Sequence, residues 1–235
     1  MILVLWDIDR TLLYAGGIDR MVYQELFQEI IGRAPEALPA KGTGITMPLA
    51  VRELLSVNGI PNAELDHLSQ RIVARMPDQL DRHRDALRAH GYLMPGAVTA
   101  LATVRRTPWV IPSVVTGNLR GSAEIKLSTF GLSDQVEIAI GGYASDDSHR
   151  PALVRIAQGR AQAAYGHRFT WTNTVIVGDS LEDVRTGREG GARVIGIASG
   201  TTSAQDLAGA GADHVLRDLK DADRLVRLIT AVGGH

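Results

Sequence analysis

Two aspartates two positions apart form the most informative feature of this sequence. Asp7 and Asp9 directly follow an apolar run at residues 3–6. That run predicts a buried strand, so both aspartates fall at or just past its carboxyl end, on the same side of an extended chain. Two carboxylates this close repel each other unless a cation or a shared proton relieves them. The pair therefore suits binding of a hard divalent cation, and nucleophilic or acid–base chemistry.

Further polar residues follow later apolar runs or precede a predicted helix. The carboxyl ends of parallel strands meet at one edge of a sheet, so residues far apart in sequence can share one site there. The candidates that would join the two aspartates in this way are Thr116, Gly117, Asn118, Arg150, Asp179 and Asp183.

The pattern after residue 93 supplies the elements that would hold these side chains together. Extended and helical segments alternate, which predicts a parallel sheet with helices on both faces. We therefore predict an α/β protein with a doubly wound parallel sheet. Its strands after the first are expected at residues 109–115, 136–140, 174–177, 193–197 and 214–216.

The region between residues 15 and 93 has a different character. Its apolar residues recur at helical spacing, and Pro77 is expected to kink or divide the longest segment. We predict an α/β core at residues 1–14 and 94–235, and an all-helical cap at residues 15–93. The cap would lie over the active end of the sheet.

The composition excludes several kinds of protein. The chain has 235 residues and a formal net charge of −1, so no overall charge attracts it to nucleic acid or to an anionic membrane. It has no cysteine, which excludes disulfides, thiolate metal sites and a cysteine nucleophile. No apolar stretch approaches the ~20 residues of a membrane-spanning helix. A cytoplasmic location is the expectation.

Three segments resemble motifs of the haloacid dehalogenase-like (HAD) superfamily. Asp7-Ile8-Asp9-Arg10-Thr11-Leu12 resembles the first motif, the segment at 114–118 the second, and the acidic segment at 175–184 the fourth. Their order and spacing agree with the family over the whole chain, including a helical cap inserted after the first motif. The resemblance implies a Rossmann-like core of the phosphoglycolate phosphatase-like branch with a C1-type cap.

The resemblance also implies roles for the acidic residues. Asp7 would be the nucleophile that forms an aspartyl-phosphate intermediate, and Asp9 the general acid and then the general base. Mg²⁺ would be bound by Asp7, by the backbone carbonyl of Asp9 and by Asp179, with Asp183 supporting these ligands.

The phosphoryl oxygens would need hydrogen-bond donors and a cation. By the same resemblance, Thr116 and the backbone around Gly117 and Asn118 would donate hydrogen bonds to them. The third motif usually supplies a lysine, and Arg150 stands in its place here. Lys126 is the alternative, although its position in an amphipathic helix favours a solvent-exposed side chain.

Two positions depart from the family pattern. Arg10 replaces the usual glycine, so it could contact phosphate, point to solvent or impair the site. In the cap, the segment at 44–48 keeps Thr46 as a candidate substrate contact but lacks the charged residues that relatives carry. Lys41 and Arg52 are near enough in sequence to replace those charges; otherwise the cap would favour a more apolar substrate.

Asp9 distinguishes two branches of this family. Dehalogenases of the family have no acid two residues after the nucleophile, because a leaving halide needs no proton, whereas phosphatases and phosphomutases do. The resemblance therefore implies phosphoryl transfer. We predict a Mg²⁺-dependent phosphatase acting on a small phosphate monoester similar to phosphoglycolate. It would bind a small phosphorylated metabolite, and we expect it to bind neither nucleic acid nor a membrane. The protein would be a monomer or homodimer. The alternatives are a sugar phosphomutase of the same superfamily and a catalytically weak phosphate-binding or regulatory protein.

Overall fold

A six-stranded parallel sheet forms the centre of the structure, a computed structural model that describes residues 1–40 and 44–232. Every neighbouring pair of strands in it is parallel. In spatial order the strands are β5 (Gly142–Tyr143), β4 (Val110–Thr116), β1 (Ile2–Trp6), β6 (Thr174–Gly178), β7 (Arg193–Ile197) and β8 (His214–Leu216). A short antiparallel pair, β2 (Leu13–Tyr14) and β3 (Tyr92–Leu93), lies outside this sheet.

Helices connect these strands and cover both faces of the sheet. The four helices between β2 and β3 are α1 (Ile18–Ile31), α2 (Met47–Val57), α3 (Asn62–Arg82) and α4 (Arg84–His90). The later ones are α5 (Ala97–Arg106), α6 (Arg120–Thr129), α7 (Arg150–Tyr165), α8 (Leu181–Gly190), α9 (Ala204–Ala210) and α10 (Ala222–Val232). None of the helices in the described part of the chain is long and apolar enough to cross a membrane.

Alternate residues of β1 enter two separate hydrophobic clusters. Ile2, Val4 and Trp6 pack with residues of α5, α6 and α10, whereas Leu3 and Leu5 pack with residues of α7, α8 and α9. All five side chains are fully or almost fully buried. A strand buried on both faces reads as a continuous apolar run, which is why the sequence shows no alternation here. The predicted doubly wound α/β fold is confirmed.

The central position of β1 decides where the site lies. The chain continues to β4 on one side of β1 and to β6 on the other, so the strand order reverses beside β1. Ligands bind at such a switch point, outside the carboxyl ends of the strands. The backbone N–H of Asp7 donates to the carbonyl of Val177 (2.9 Å), which fixes the first turn after β1 against β6.

The strand predicted at 136–140 was wrong. This segment forms short 3₁₀ turns, Ser133–Gln135 and Ile138–Ile140, and the edge strand is β5. The neighbouring part of β4 contains Pro112, which accepts a hydrogen bond from the Glu137 N–H (2.8 Å) but has no N–H to offer in return. Pairing with β4 therefore begins later, at Gly142 and Tyr143.

Pro77 does not divide the longest helix, which was one of the two outcomes predicted from the sequence. Helix α3 runs through it from Asn62 to Arg82 and packs against α1, α2 and α6. A Cβ added to Gly121 of α6 would lie 3.0 Å from the Pro77 ring, so the two helices meet closely at this point. Packing on several sides compensates for the backbone hydrogen bond that a proline removes.

Candidate active site

The polar residues predicted from the sequence meet around one cavity of about 280 Å³ at the carboxyl edge of the sheet. All of them except Thr46 and Asp183 line it. Residues of α1 and of the segment before α2 complete the wall, so the cavity lies between the sheet and the helical insert.

Three carboxylates form an acidic group at this cavity, and two of them, Asp7 and Asp179, line it. Asp7, Asp179 and Asp183 are all buried, and each offers an oxygen within 4.8 Å of the others. Thr11 donates a hydrogen bond to Asp179 (3.0 Å). The backbone N–H and hydroxyl of Ser180 donate to Asp183 at 2.9 and 2.6 Å, in a capping box at the start of α8. The strand end and the helix start thus hold the carboxylates in place.

Arg150 reaches into this group from the first turn of α7. Its Nη2 donates to Asp7 (2.7 Å) and to Asp183, and its Nη1 donates to the carbonyl of Gly44. The side chain is only 3% exposed, and its Nε has no hydrogen-bond partner among residues 1–40 and 44–232. Arg150 therefore lies where the sequence prediction requires a cation, in direct contact with Asp7.

The acidic group carries more negative charge than Arg150 alone neutralises. Burial and the charge of Asp183 raise the pKa of Asp7 well above its usual range, although Arg150 opposes the shift. Burial and Asp183 also raise the pKa of Asp179 to about 7, against the hydrogen bond from Thr11. Three crowded carboxylates with only oxygen donors fit a hard divalent cation such as Mg²⁺.

The solvent-exposed position predicted for Lys126 was wrong. Its side chain is fully buried, and its Nζ donates to both oxygens of Asp9 (2.8 and 2.9 Å), to Asp19 (2.8 Å) and to the Asn118 amide oxygen (2.8 Å). Burial disfavours the ammonium, but the charges of Asp19 and Asp9 outweigh it and raise the pKa of Lys126 above its ordinary value. Two carboxylates far away in sequence thus keep this lysine charged inside the protein.

Helix α1 brings residues to the cavity that the sequence reasoning missed. Asp19, Arg20 and Tyr23 all line it. Asp19 stands in the first turn of α1, where an acidic residue is equally expected to complement the helix dipole, so its position alone gave no functional signal. Burial and the charges of Asp19 and Asp9 raise the pKa of Tyr23 above its ordinary value.

The turn after β4 organises the opposite wall. The Asn118 side-chain amide donates to Asp9 (2.7 Å) and to the Thr116 hydroxyl (2.8 Å). A Cβ at Gly117 would lie 2.7 Å from the carbonyl oxygen of Ile45, and the Met47 N–H donates to the Gly117 carbonyl (2.8 Å). Glycine is thus needed where the segment before α2 lies on the core.

Arg10, which departs from the family pattern, and Thr46, which keeps to it, have different surroundings. Arg10 lines the cavity with its backbone at φ +65°, a left-handed conformation, and its guanidinium lies 5.0 Å from the Tyr14 ring centroid. The Thr46 hydroxyl donates to the Ser148 carbonyl (2.9 Å) and does not line the cavity. Arg52 pairs with Asp66 at the surface, and Lys41 lies outside the described residues.

A family model described as haloacid dehalogenase-like hydrolase matches residues 4–188. The chain belongs to the haloacid dehalogenase-like hydrolase family. The matched region contains every residue of the cavity described above. No curated protein matches the chain significantly.

Several solved structures share the fold of this family member at low sequence identity. A predicted phosphatase from Clostridium acetobutylicum is 17% identical, with a TM-score of 0.69 and coverage of 96% of this chain and 98% of that one. A proposed phosphoglycolate phosphatase from Lactobacillus plantarum is 18% identical (TM-score 0.62, coverage 97% and 98%). A proposed β-phosphoglucomutase from Bacteroides vulgatus is 16% identical (TM-score 0.66, coverage 100% and 91%). At these identities the likeness concerns the fold alone.

Proposed function

We propose that this haloacid dehalogenase-like hydrolase is a Mg²⁺-dependent phosphatase that cleaves a small phosphate monoester through an aspartyl-phosphate intermediate. The observation that carries the proposal is the contact between Arg150 and Asp7, within a group of carboxylates that a divalent cation would complete. Asp9 lies two residues away and faces the same cavity. A nucleophile, an acid and a cation thus share one small enclosed space.

The chemistry of the proposal is assigned to the two aspartates. Asp7 attacks phosphorus while the bond from phosphorus to the leaving oxygen breaks, and Asp9 gives its proton to that oxygen. Asp9 then takes a proton from a water molecule, whose oxygen attacks the phosphorus of the aspartyl-phosphate while the bond from phosphorus to the Asp7 oxygen breaks. Inorganic phosphate leaves, and both carboxyl groups return to their starting states.

The surrounding residues would reduce the electrostatic cost of bringing phosphate to a carboxylate. Phosphoryl oxygens would be bound by Arg150, the Thr116 hydroxyl and the backbone at Gly117 and Asn118, which all line the cavity. Asp7 and Asp179, with Asp183 beside them, would hold Mg²⁺. When bound, the ion would supply positive charge that offsets the repulsion between Asp7 and the phosphate dianion.

We further propose that α1–α4 act as a helical cap and that the substrate resembles phosphoglycolate. The cavity of about 280 Å³ suits a small metabolite. Arg10 and Arg20 line it, and Arg20 also donates to the Pro39 carbonyl (2.7 Å). Neither arginine has a carboxylate within 4.0 Å among residues 1–40 and 44–232, so we assign both to an acidic leaving group. The proposed phosphoglycolate phosphatase among the structural neighbours supports this substrate class.

Phosphate release from a panel of small phosphate monoesters tests the proposal, with Mg²⁺ or with EDTA. We expect release with Mg²⁺, none with EDTA, and at least a ~1,000-fold loss in Asp7→Asn, because that variant lacks the nucleophile. Asp85→Asn is the matched control, since Asp85 is fully exposed on α4.

Activity retained in Asp7→Asn would contradict the proposal. Turnover that requires a sugar bisphosphate would favour the mutase, and binding of Mg²⁺ and phosphate without turnover the regulatory protein.

A further inference from the structure

We propose that Lys126 is a positioning residue for Asp9, and that Asp19 of helix α1 fixes Lys126 in that role. The inference rests on the proposed phosphatase function and adds to it two residues that lie outside the motifs carrying the sequence resemblance. It assigns them no contact with the substrate. Their effect would pass through the orientation of the Asp9 carboxylate.

The geometry restricts Asp9 on one side and leaves it accessible on the other. Lys126 Nζ contacts both carboxylate oxygens of Asp9, and the Asn118 amide donates to one of them (2.7 Å). These contacts fix both the place and the rotation of the carboxylate. The Asp9 side chain is nevertheless 36% exposed, so it can still meet a leaving group in the cavity.

Stability alone does not account for a fully buried lysine at this position. The flanking side chains of α6, Ile125 and Leu127, are buried in the hydrophobic core. Replacing a buried ion pair by apolar residues of similar volume is often neutral or stabilising, because desolvation of the charges costs about as much as their attraction returns. Apolar side chains in place of the whole Lys126–Asp19 pair would therefore fit α6 and α1 about as well, but they could not hold Asp9.

The cluster also connects the core with the helical insert. Lys126 lies on α6, Asp9 in the loop after β1, and Asp19 in the first turn of α1. The side chain of Asp19 is 26% exposed, and it lines the cavity. The position of Lys126, and hence of Asp9, therefore depends on α1 lying over the cavity as it does here.

The leaving-group dependence of phosphate release distinguishes positioning of a general acid from a general structural role. An alkyl phosphate such as glycerol 2-phosphate needs its leaving oxygen protonated, whereas p-nitrophenyl phosphate releases a stable anion. Since a general acid contributes typically 10²–10⁴-fold, we expect Lys126→Met to lower kcat/KM about 100-fold for the alkyl ester but less than about 5-fold for the aryl ester. Equal losses on the two esters would overturn the proposal.

Two further variants keep the test decisive if Lys126→Met folds poorly, which a thermal melt would reveal. Asp19→Asn retains an acceptor for Lys126 and is expected to cost about 10-fold on the alkyl ester and little on the aryl ester. In an Asp9→Asn background, Lys126→Met should add no further preference for the aryl ester, because the residue it positions is gone. A further preference there would contradict the assignment. Lys220→Met is the matched control, since Lys220 is 69% exposed.

The same assays separate this inference from the function on which it rests. A wild-type protein that releases phosphate from neither ester with Mg²⁺ would remove the proposed phosphatase activity and the positioning role together. Wild-type release combined with equal losses in the variants would leave the phosphatase standing and overturn the role of Lys126 alone.

Discussion

Two buried cations lie at the site, and their partners differ. Arg150 contacts Asp7 and Asp183 and also the carbonyl of Gly44 in the segment before α2. Lys126 contacts Asp9 and Asp19, so each cation holds one of the two aspartates of the first motif. The planar guanidinium reaches several separate acceptors at once, whereas the compact ammonium is enclosed by its acceptors.

The charge balance of the two clusters also differs. One guanidinium faces the three carboxylates Asp7, Asp179 and Asp183, which leaves two negative charges without compensation. One ammonium faces two carboxylates, which leaves one. The cluster with the larger deficit is the one whose geometry suits a divalent cation. The comparison indicates that the Arg150 cluster is built to receive positive charge and the Lys126 cluster to orient an acid.

Substitution of Arg150 should give the largest effect. Unlike the effect expected for Lys126, it should not depend on the leaving group. Removing one donor to a charge that develops in the transition state typically costs 10²–10³-fold, so we expect Arg150→Met to lower kcat/KM by about that factor on alkyl and aryl esters alike. Arg150→Lys should recover part of the loss because it restores the charge. A loss confined to the alkyl ester would show that Arg150 acts through leaving-group protonation, contrary to this assignment.

The charge deficit predicts a pH dependence of stability in the metal-free protein. The pKa of Asp179 is about 7 in the fold, above its ordinary value near 4. A carboxyl whose pKa rises on folding binds its proton more tightly in the folded state, so its contribution to stability is full below pH ~4 and is lost as pH rises through ~7.

A thermal melt in EDTA measures this contribution. Between pH ~5 and ~7.5 we expect the Tm of the wild type to fall on the order of 5 °C more than that of Asp179→Asn, with Asp85→Asn behaving as the wild type. Mg²⁺ should reduce the fall, because the ion replaces the proton. An equal pH slope in wild type and Asp179→Asn would contradict the charge deficit.

Substitution of Arg10, which also lines the cavity, should give the smallest effect. Arg10 has no carboxylate within 4.0 Å among the described residues, and its φ of +65° suits glycine better than arginine. We expect Arg10→Gly to raise the free energy of unfolding by about 1 kcal/mol, measured by denaturant titration. Trp109→Gly, at φ +66° and outside the cavity, is the control for backbone strain alone. A destabilised Arg10→Gly would show that the contact with Tyr14 outweighs the strain.

The sequence predicted the sheet well and its edge poorly, for one physical reason. Strands such as β1 and β6 are buried on both faces, so their apolar runs are unmistakable. The edge strand β5 has only two residues, and its position is set by which backbone groups of β4 are free to pair. Such pairing depends on the tertiary structure, so the apolar residues at 136–140 do not indicate where it begins.

The sequence by itself determined that Asp7, Asp9, Thr116 and Asp179 would meet at one sheet edge, because strand ends and their order along the chain are local features. The tertiary structure alone decided what surrounds them. The burial of Lys126 depends on Asp9 and Asp19, which are 117 and 107 positions away along the chain. The Thr46 hydroxyl likewise bonds a distant partner, the Ser148 carbonyl 102 positions away, and does not line the cavity. Helical periodicity tells which face of a helix is apolar, but not which distant carboxylate makes a buried charge tolerable.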